Sequence, residues 1–118
     1  FRRVLFRSPA GWLLPGGDCA RRTALAPTGP LLSALGGTWA TEHVAFSPDD
    51  VLLVWSDGLV EARDAAREMS EADLERIVTG IDTREPRELV ARMLADVRAQ
   101  SPDWRRDDVT LVALRRVP

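Results

Sequence analysis

Two short apolar runs, each flanked by acidic residues, constrain this chain more than any other feature. Val51-Leu52-Leu53-Val54-Trp55 and Val109-Thr110-Leu111-Val112-Ala113-Leu114 are rich in β-branched residues and too short for an ordinary helix. Such continuous runs signal strands buried on both faces. Asp57 follows the first run almost directly, and Asp107-Asp108 immediately precedes the second. If the two strands are antiparallel neighbours, both acidic positions fall at one edge of the sheet. One carboxylate then follows a strand's exit while the other precedes a strand's start.

Converging carboxylates repel strongly unless a cation lies between them. Their hard oxygens suit Mg²⁺ or Mn²⁺. Asp57-Gly58 is also a plain turn signal, and Asp107-Asp108 equally fits a solvated loop. On spacing alone the turn reading is the stronger.

The rest of the chain supplies a frame for these strands. Trp12-Leu13-Leu14 reads as a short strand ending in the turn Pro15-Gly16-Gly17-Asp18, with Cys19 to Leu25 as the return strand of a hairpin. Residues 27 to 37 read as a Gly/Pro-rich loop. Residues 39 to 46 alternate in polarity, with Trp39, Thr41, His43 and Ala45 on one face. After the Ser47-Pro48-Asp49-Asp50 turn, this segment is expected to form a hairpin with 51–55, whose strand is central. A helix is expected to open at Ser70, with Asp73 near a capping-box position and Met69 and Leu74 placed as a hydrophobic staple. Its stripe is Leu74, Ile77, Val78 and Ile81, and Gly80 marks its end. A second helix starts near Pro86 with the stripe Leu89, Val90, Met93, Leu94 and Val97. Both stripes read as core. Ser101 to Arg106 reads as a loop, and no repeat period is visible.

Bulk properties exclude several functions. The chain has 118 residues, 45% hydrophobic and 29% charged, as in an ordinary globular protein. The formal net charge of −2 and the dispersed Arg residues argue against nucleic acid and acidic membrane surfaces. No apolar run approaches the roughly 20 residues that span a bilayer. All 16 basic residues are Arg, and Lys, Asn and Tyr are absent, a bias expected of a GC-rich bacterial genome. Cys19 is the sole cysteine and His43 the sole histidine, so neither a disulfide nor a Cys/His zinc cluster is available. Cys19 reads as a small apolar residue rather than a catalytic thiol. A reducing cytoplasmic location is expected.

The chain begins at Phe1 rather than Met. Arg2-Arg3-Val4-Leu5-Phe6-Arg7-Ser8 lacks the apolar core and cleavage site of a signal peptide. It matches the translation of a common sequencing-adaptor end. Residues 1–8 are therefore read as an artefact, and 9–118 as the native portion.

The run LLVWSDGLVEARD, residues 52 to 64, closely resembles a motif of the SpoIIE/RsbU-type branch of the PPM (PP2C-like) phosphatases. DDVTLVALR, residues 107 to 115, resembles the closing motif of that family, and the two intervening helices fit the usual spacing. GPLLSALGG resembles a Gly-rich segment usually seen before the hairpin. PAGWLLPGGD resembles the stretch that comes after the family's Gly-His-Pro segment. The resemblance thus runs from Pro9 onward.

It implies an α+β fold: part of a PPM-type α-β-β-α sandwich, mostly antiparallel, with two consecutive helices before the last strand. It further implies that Asp57 and Asp107 are metal ligands of a two-metal Mn²⁺ or Mg²⁺ centre. Asp108 and Gly58 are secondary positions, and Glu61 and Asp64 read as surface or helix-start carboxylates. The implied activity is hydrolysis of phosphoserine or phosphothreonine in a protein, such as a bacterial anti-anti-sigma-type regulator. An upstream sensor domain is an expected partner in the native chain. The family's early Gly-Asp motifs are absent, so residues 9–118 are expected to be the C-terminal part of the domain. The metal set is then incomplete and activity low, with one sheet face uncovered. Two other readings compete: a degenerate, non-catalytic module that binds a regulatory partner, and an unrelated small α/β domain with Asp57 and Asp107 as turn residues.

Overall fold

A computed structural model of the chain describes residues 11–30, 34–60, 71–100 and 109–118. Four antiparallel strands form one sheet in the order β2-β1-β3-β4: β1 Gly11–Leu14, β2 Thr23–Leu25, β3 Val51–Trp55 and β4 Leu111–Arg115. Among the described residues, three helices lie between β3 and β4 in sequence: the single turn α1 Asp57–Val60, then α2 Glu71–Val78 and α3 Pro86–Gln100. This is the expected α+β arrangement, with two consecutive helices before the last strand.

One face of the sheet makes the core. Trp12, Leu14, Val51 and Leu53 share that face by register. They join Leu59, Leu74, Val78, Ile81, Leu89, Met93 and Val97 in a single buried cluster. The 3.6-residue spacing of the two apolar stripes aims α2 and α3 at the sheet. The rings of Trp12 and Trp55 meet edge to face, with centroids 4.7 Å apart. The Arg22 guanidinium lies 5.3 Å from the centre of the Trp12 ring and pairs with Glu75 of α2 at 2.8 Å. A single arginine thereby links Trp12 of β1 to the helical layer.

The Pro15-Gly16-Gly17 turn has a long-range role. Gly17 has φ +81°, and a Cβ there would lie 2.1 Å from the Thr83 carbonyl oxygen. Only glycine admits both this backbone and this approach. The Thr83 N–H donates to the Gly17 carbonyl at 3.3 Å, and the Cys19 N–H donates to the Ile81 carbonyl at 3.1 Å. The turn is thus stitched to the α2–α3 connection. Thr83 also accepts the Glu85 N–H at 3.1 Å and donates to Glu88 at 2.9 Å, organising the start of α3.

Three expectations are corrected. Residues 39–46 form no strand, and Trp39 and Val44 are exposed. Both hydrogen-bonding edges of β3 are occupied, by β1 and β4, so no edge remains for a third partner. The segment instead folds back within its own loop: Trp39 Nε1 donates to the Pro30 carbonyl at 2.7 Å, and Thr28 Oγ1 to the Ala40 carbonyl at 2.6 Å. The return strand of the first hairpin is only Thr23–Leu25, because Cys19–Arg21 makes a 3₁₀ turn capped by Asp18. Finally, β4 is an edge strand and is not buried on both faces. Leu111, Ala113 and Arg115 are half-buried, whereas Val112 is 40% and Leu114 55% exposed. The half-buried Leu52 and Val54 of β3 share this open face. Leu13 of β1 lies on the same face and is buried, so among the described residues this face is open toward β4 and not throughout. The expected capping box and staple involve Ser70 and Met69, which lie outside the described residues.

Candidate functional site

The antiparallel register of β3 and β4 runs from Val51 opposite Arg115 to Trp55 opposite Leu111. The exit of β3 and the start of β4 therefore meet at one end of the sheet. Pairing continues one residue further: the Ser56 N–H donates to the Thr110 carbonyl at 2.9 Å, and the Thr110 N–H donates to Ser56 Oγ at 2.8 Å. The Ser56 carbonyl accepts the Leu59 N–H at 3.1 Å, which opens α1. Asp57 is the first residue of α1. Gly58 and Leu59 behind it are buried, so the turn is anchored in the core. Asp107, Asp108, Glu61 and Asp64 lie outside the described residues. Thr110 follows Asp107 by three positions in the sequence.

Among the described residues, no group of three or more His, Cys, Asp or Glu side chains is placed to hold a metal. Nor do Cys19 and His43 make a nucleophilic pair. Cys19 is fully buried, and His43 is exposed in the loop before β3. Burial, reinforced by the charge of Asp18, pushes the Cys19 thiol up to about 11. A protonated, inaccessible thiol is a poor nucleophile near neutral pH.

The opposite end of the sheet carries a feature that the sequence did not reveal. Asp50 accepts the Gly16 N–H at 3.0 Å and the Ser47 N–H at 2.8 Å. These backbone donors, Gly16 first, hold its carboxyl below the usual carboxylate range. Asp49, at φ +70°, completes the turn, and its N–H donates to the Arg116 carbonyl at 2.8 Å. An open cleft here is lined by Leu13, Arg21, Thr23, Val44, Asp50 and Arg84. Arg84 pairs with Asp49 at 3.4 Å. The acidic side chains of this end are thus committed to the turn and to an arginine. The only sequence hint was the turn itself, because Gly16 and Asp50 are 34 positions apart.

The chain matches the family described as Stage II sporulation protein E (SpoIIE) over residues 8–117. No curated protein sequence matches it significantly. Among solved structures it is similar to the phosphatase domain of the cell fate determinant SpoIIE from Bacillus subtilis. The manganese-presoaked form of that domain is matched at 19% identity and a TM-score of 0.64, over 95% of this chain and 48% of that one. A crystal form without domain swapping is matched at 20% identity and a TM-score of 0.66, over 93% and 47%. A structure of the PP2C phosphatase domain with a fragment of the regulatory domain is matched at 18% identity and a TM-score of 0.67, over 93% and 32%. At these identities the likeness establishes the fold. This chain spans about half the length of the phosphatase-domain structures it matches.

Proposed function

We propose that this chain, which belongs to the SpoIIE family, forms part of a metal-dependent phosphatase domain that hydrolyses phosphoserine or phosphothreonine in a protein. Residues 9–118 are its C-terminal share, and the substrate class is an anti-anti-sigma-type regulator. The observation that carries this reading is the shared sheet end: the chain leaves β3 through Ser56 into Asp57 beside the residue, Thr110, through which it enters β4. Asp57 and Asp107 are the residues that would hold the ions. The donor set fits a hard cation, since both are carboxylates and the chain's one thiol is buried and protonated. When bound, Mn²⁺ or Mg²⁺ supplies Lewis acidity at a phosphoryl oxygen and lowers the pKa of water.

The chain's own residues contribute position. Buried Leu59 anchors α1, and the Ser56–Thr110 pair fixes where the backbone of residue 57 leaves the sheet. The family's early Gly-Asp motifs have no counterpart in this sequence, so these 118 residues alone are expected to bind metal weakly and turn over little phosphate. The test is Mn²⁺ titration of the full chain, of Asp57→Asn and of Asp107→Asn, followed by phosphate release from a phosphoserine protein. Weak binding lost in both variants supports the reading. Binding indifferent to both overturns it, and favours a non-catalytic module that engages a regulatory partner. Robust phosphate release by the unaltered chain would overturn only the expectation of low activity.

A further inference from the structure

The register of β3 and β4 fixes which way each backbone group of β4 points. The Arg116 N–H donates to the Asp50 carbonyl at 3.1 Å, and the Thr110 carbonyl accepts the Ser56 N–H at 2.9 Å. Such positions alternate along an antiparallel pair, so the backbone groups of residues 110, 112, 114 and 116 turn toward β3. Those of Leu111, Ala113 and Arg115 turn outward, and among the described residues no strand pairs with them. Edge strands are commonly guarded by Pro, Lys or an inward-pointing charge. Leu111 to Leu114 carries none of these, and the charge of Arg115 is matched by Glu85 at 3.0 Å. The other outer strand, β2, is a poorer template. It is three residues long, and Pro27, two positions beyond it, has no N–H to offer.

We propose that the outer edge of β4 pairs antiparallel with the same edge of a second copy of this chain, about a two-fold axis at Ala113. This register uses the whole strand: Ala113 faces Ala113 of the second copy, and Leu111 faces its Arg115. Val112, 40% exposed, then lies opposite Leu114 of the second copy, a position 55% exposed in the single chain. Through the pairing with β3, an apolar row runs from Val54 and Val112 to Leu114 and Leu52 of the second copy. Symmetry supplies a second, identical row. Cross-strand pairs of this kind stabilise sheets. No like charges are opposed, since Arg115 meets Leu111 and Arg116 meets Thr110. An axis at Val112 or Leu114 would instead leave two β4 residues opposite positions outside the strand. The pairing needs neither metal nor substrate and stands apart from the phosphatase reading.

Disulfide formation between copies reads the register. Val112 and Leu114 of the second copy form a non-hydrogen-bonded pair with Cα atoms about 4.5 Å apart, within reach of a disulfide. Val112 and its own equivalent are diagonal neighbours at about 7–8 Å, beyond that reach. Full-length chains carrying Val112→Cys or Leu114→Cys are mixed in a glutathione redox buffer near neutral pH. The native thiol is silent there, because Cys19 is buried and its pKa is raised to about 11. The mixed disulfide is expected to exceed either homodisulfide roughly tenfold, since thiols held opposite one another meet at high effective concentration. Ala113→Pro removes an outward N–H and leaves the β3 ladder intact. It should reduce sedimentation to that of a monomer with circular dichroism unchanged.

Comparable yields of mixed disulfide and homodisulfides overturn the proposal, and so does an excess of either homodisulfide. A folded Ala113→Pro chain that associates like its parent overturns it as well. If Ala113→Pro does not fold, the disulfide ratio decides alone.

Discussion

Cys19 offers an unusually clean titration. Its buried thiol has a pKa raised from 9.0 to about 11, by desolvation first and then by the charge of Asp18. The folded state thus retains a proton that the unfolded chain releases. The contribution is fully present below about pH 9 and is lost as pH rises toward 11. The chain has no Lys and no Tyr, and Arg stays protonated throughout this range, so no other side chain titrates there. Unfolding free energy is therefore expected to fall between these limits with a slope of at most about 1.4 kcal/mol per pH unit, the value for one proton. Cys19→Ala should flatten the slope. Urea melts at stepped alkaline pH measure both, and an equal slope in Cys19→Ala would disprove the assignment. At this scale the sequence was legible in part. A lone cysteine without an evident catalytic partner read as a small apolar residue, and it is buried in the core. The Asp50–Gly16 bond was not legible, because a local turn pattern carries no trace of a donor 34 residues away.

Elements were legible where one layer decides the pattern. The stripes of α2 and α3 join the core as their periodicity required, with α3 packed on both α2 and β4. The strands were harder to read. The alternation at 39–46 fits a strand, but pairing is settled by which edges of β3 are free, and β1 and β4 occupy both. The run Val109–Leu114 looked buried on both faces, yet burial needs a second layer that the sequence of one strand cannot supply. This asymmetry predicts opposite responses within one pair of neighbouring strands. Leu53 is fully buried, whereas Leu114 is 55% exposed on the open face. Leu53→Ala should cost about 2–5 kcal/mol through lost burial and cavity formation. Leu114→Ala should cost less than about 1 kcal/mol. Chemical denaturation of the two variants measures the difference, and comparable losses would mean that the open face is covered in solution.

The whole molecule is a slab. Its principal extents are 41 × 39 × 20 Å, and its radius of gyration is 14.9 Å. A compact chain of this length would have a radius nearer about 13.5 Å. The short dimension matches one sheet and one helical layer, each about 10 Å thick. Among the described residues, that leaves Val112 and Leu114 exposed on the second face at the outer strand β4, whereas Leu13 of the same face is buried. Apolar faces and open strand edges favour association with further copies. A net charge of only −2 offers little repulsion against it. The 118-residue chain is therefore expected to sediment as a concentration-dependent mixture of monomer and larger species. Val112→Lys with Leu114→Lys places two like charges on the same sheet face, two residues apart along the exposed edge strand. Because neither side chain belongs to the buried cluster, the double variant should keep the fold and shift the distribution toward monomer. Sedimentation velocity across a range of concentrations, paired with circular dichroism of both proteins, reads association and folding separately. Unaltered association in a folded double variant would place the contact elsewhere, on the exposed loop around Trp39 or on the outer edge of β2. A monomeric parent chain at high concentration would show that the open face is tolerated in water.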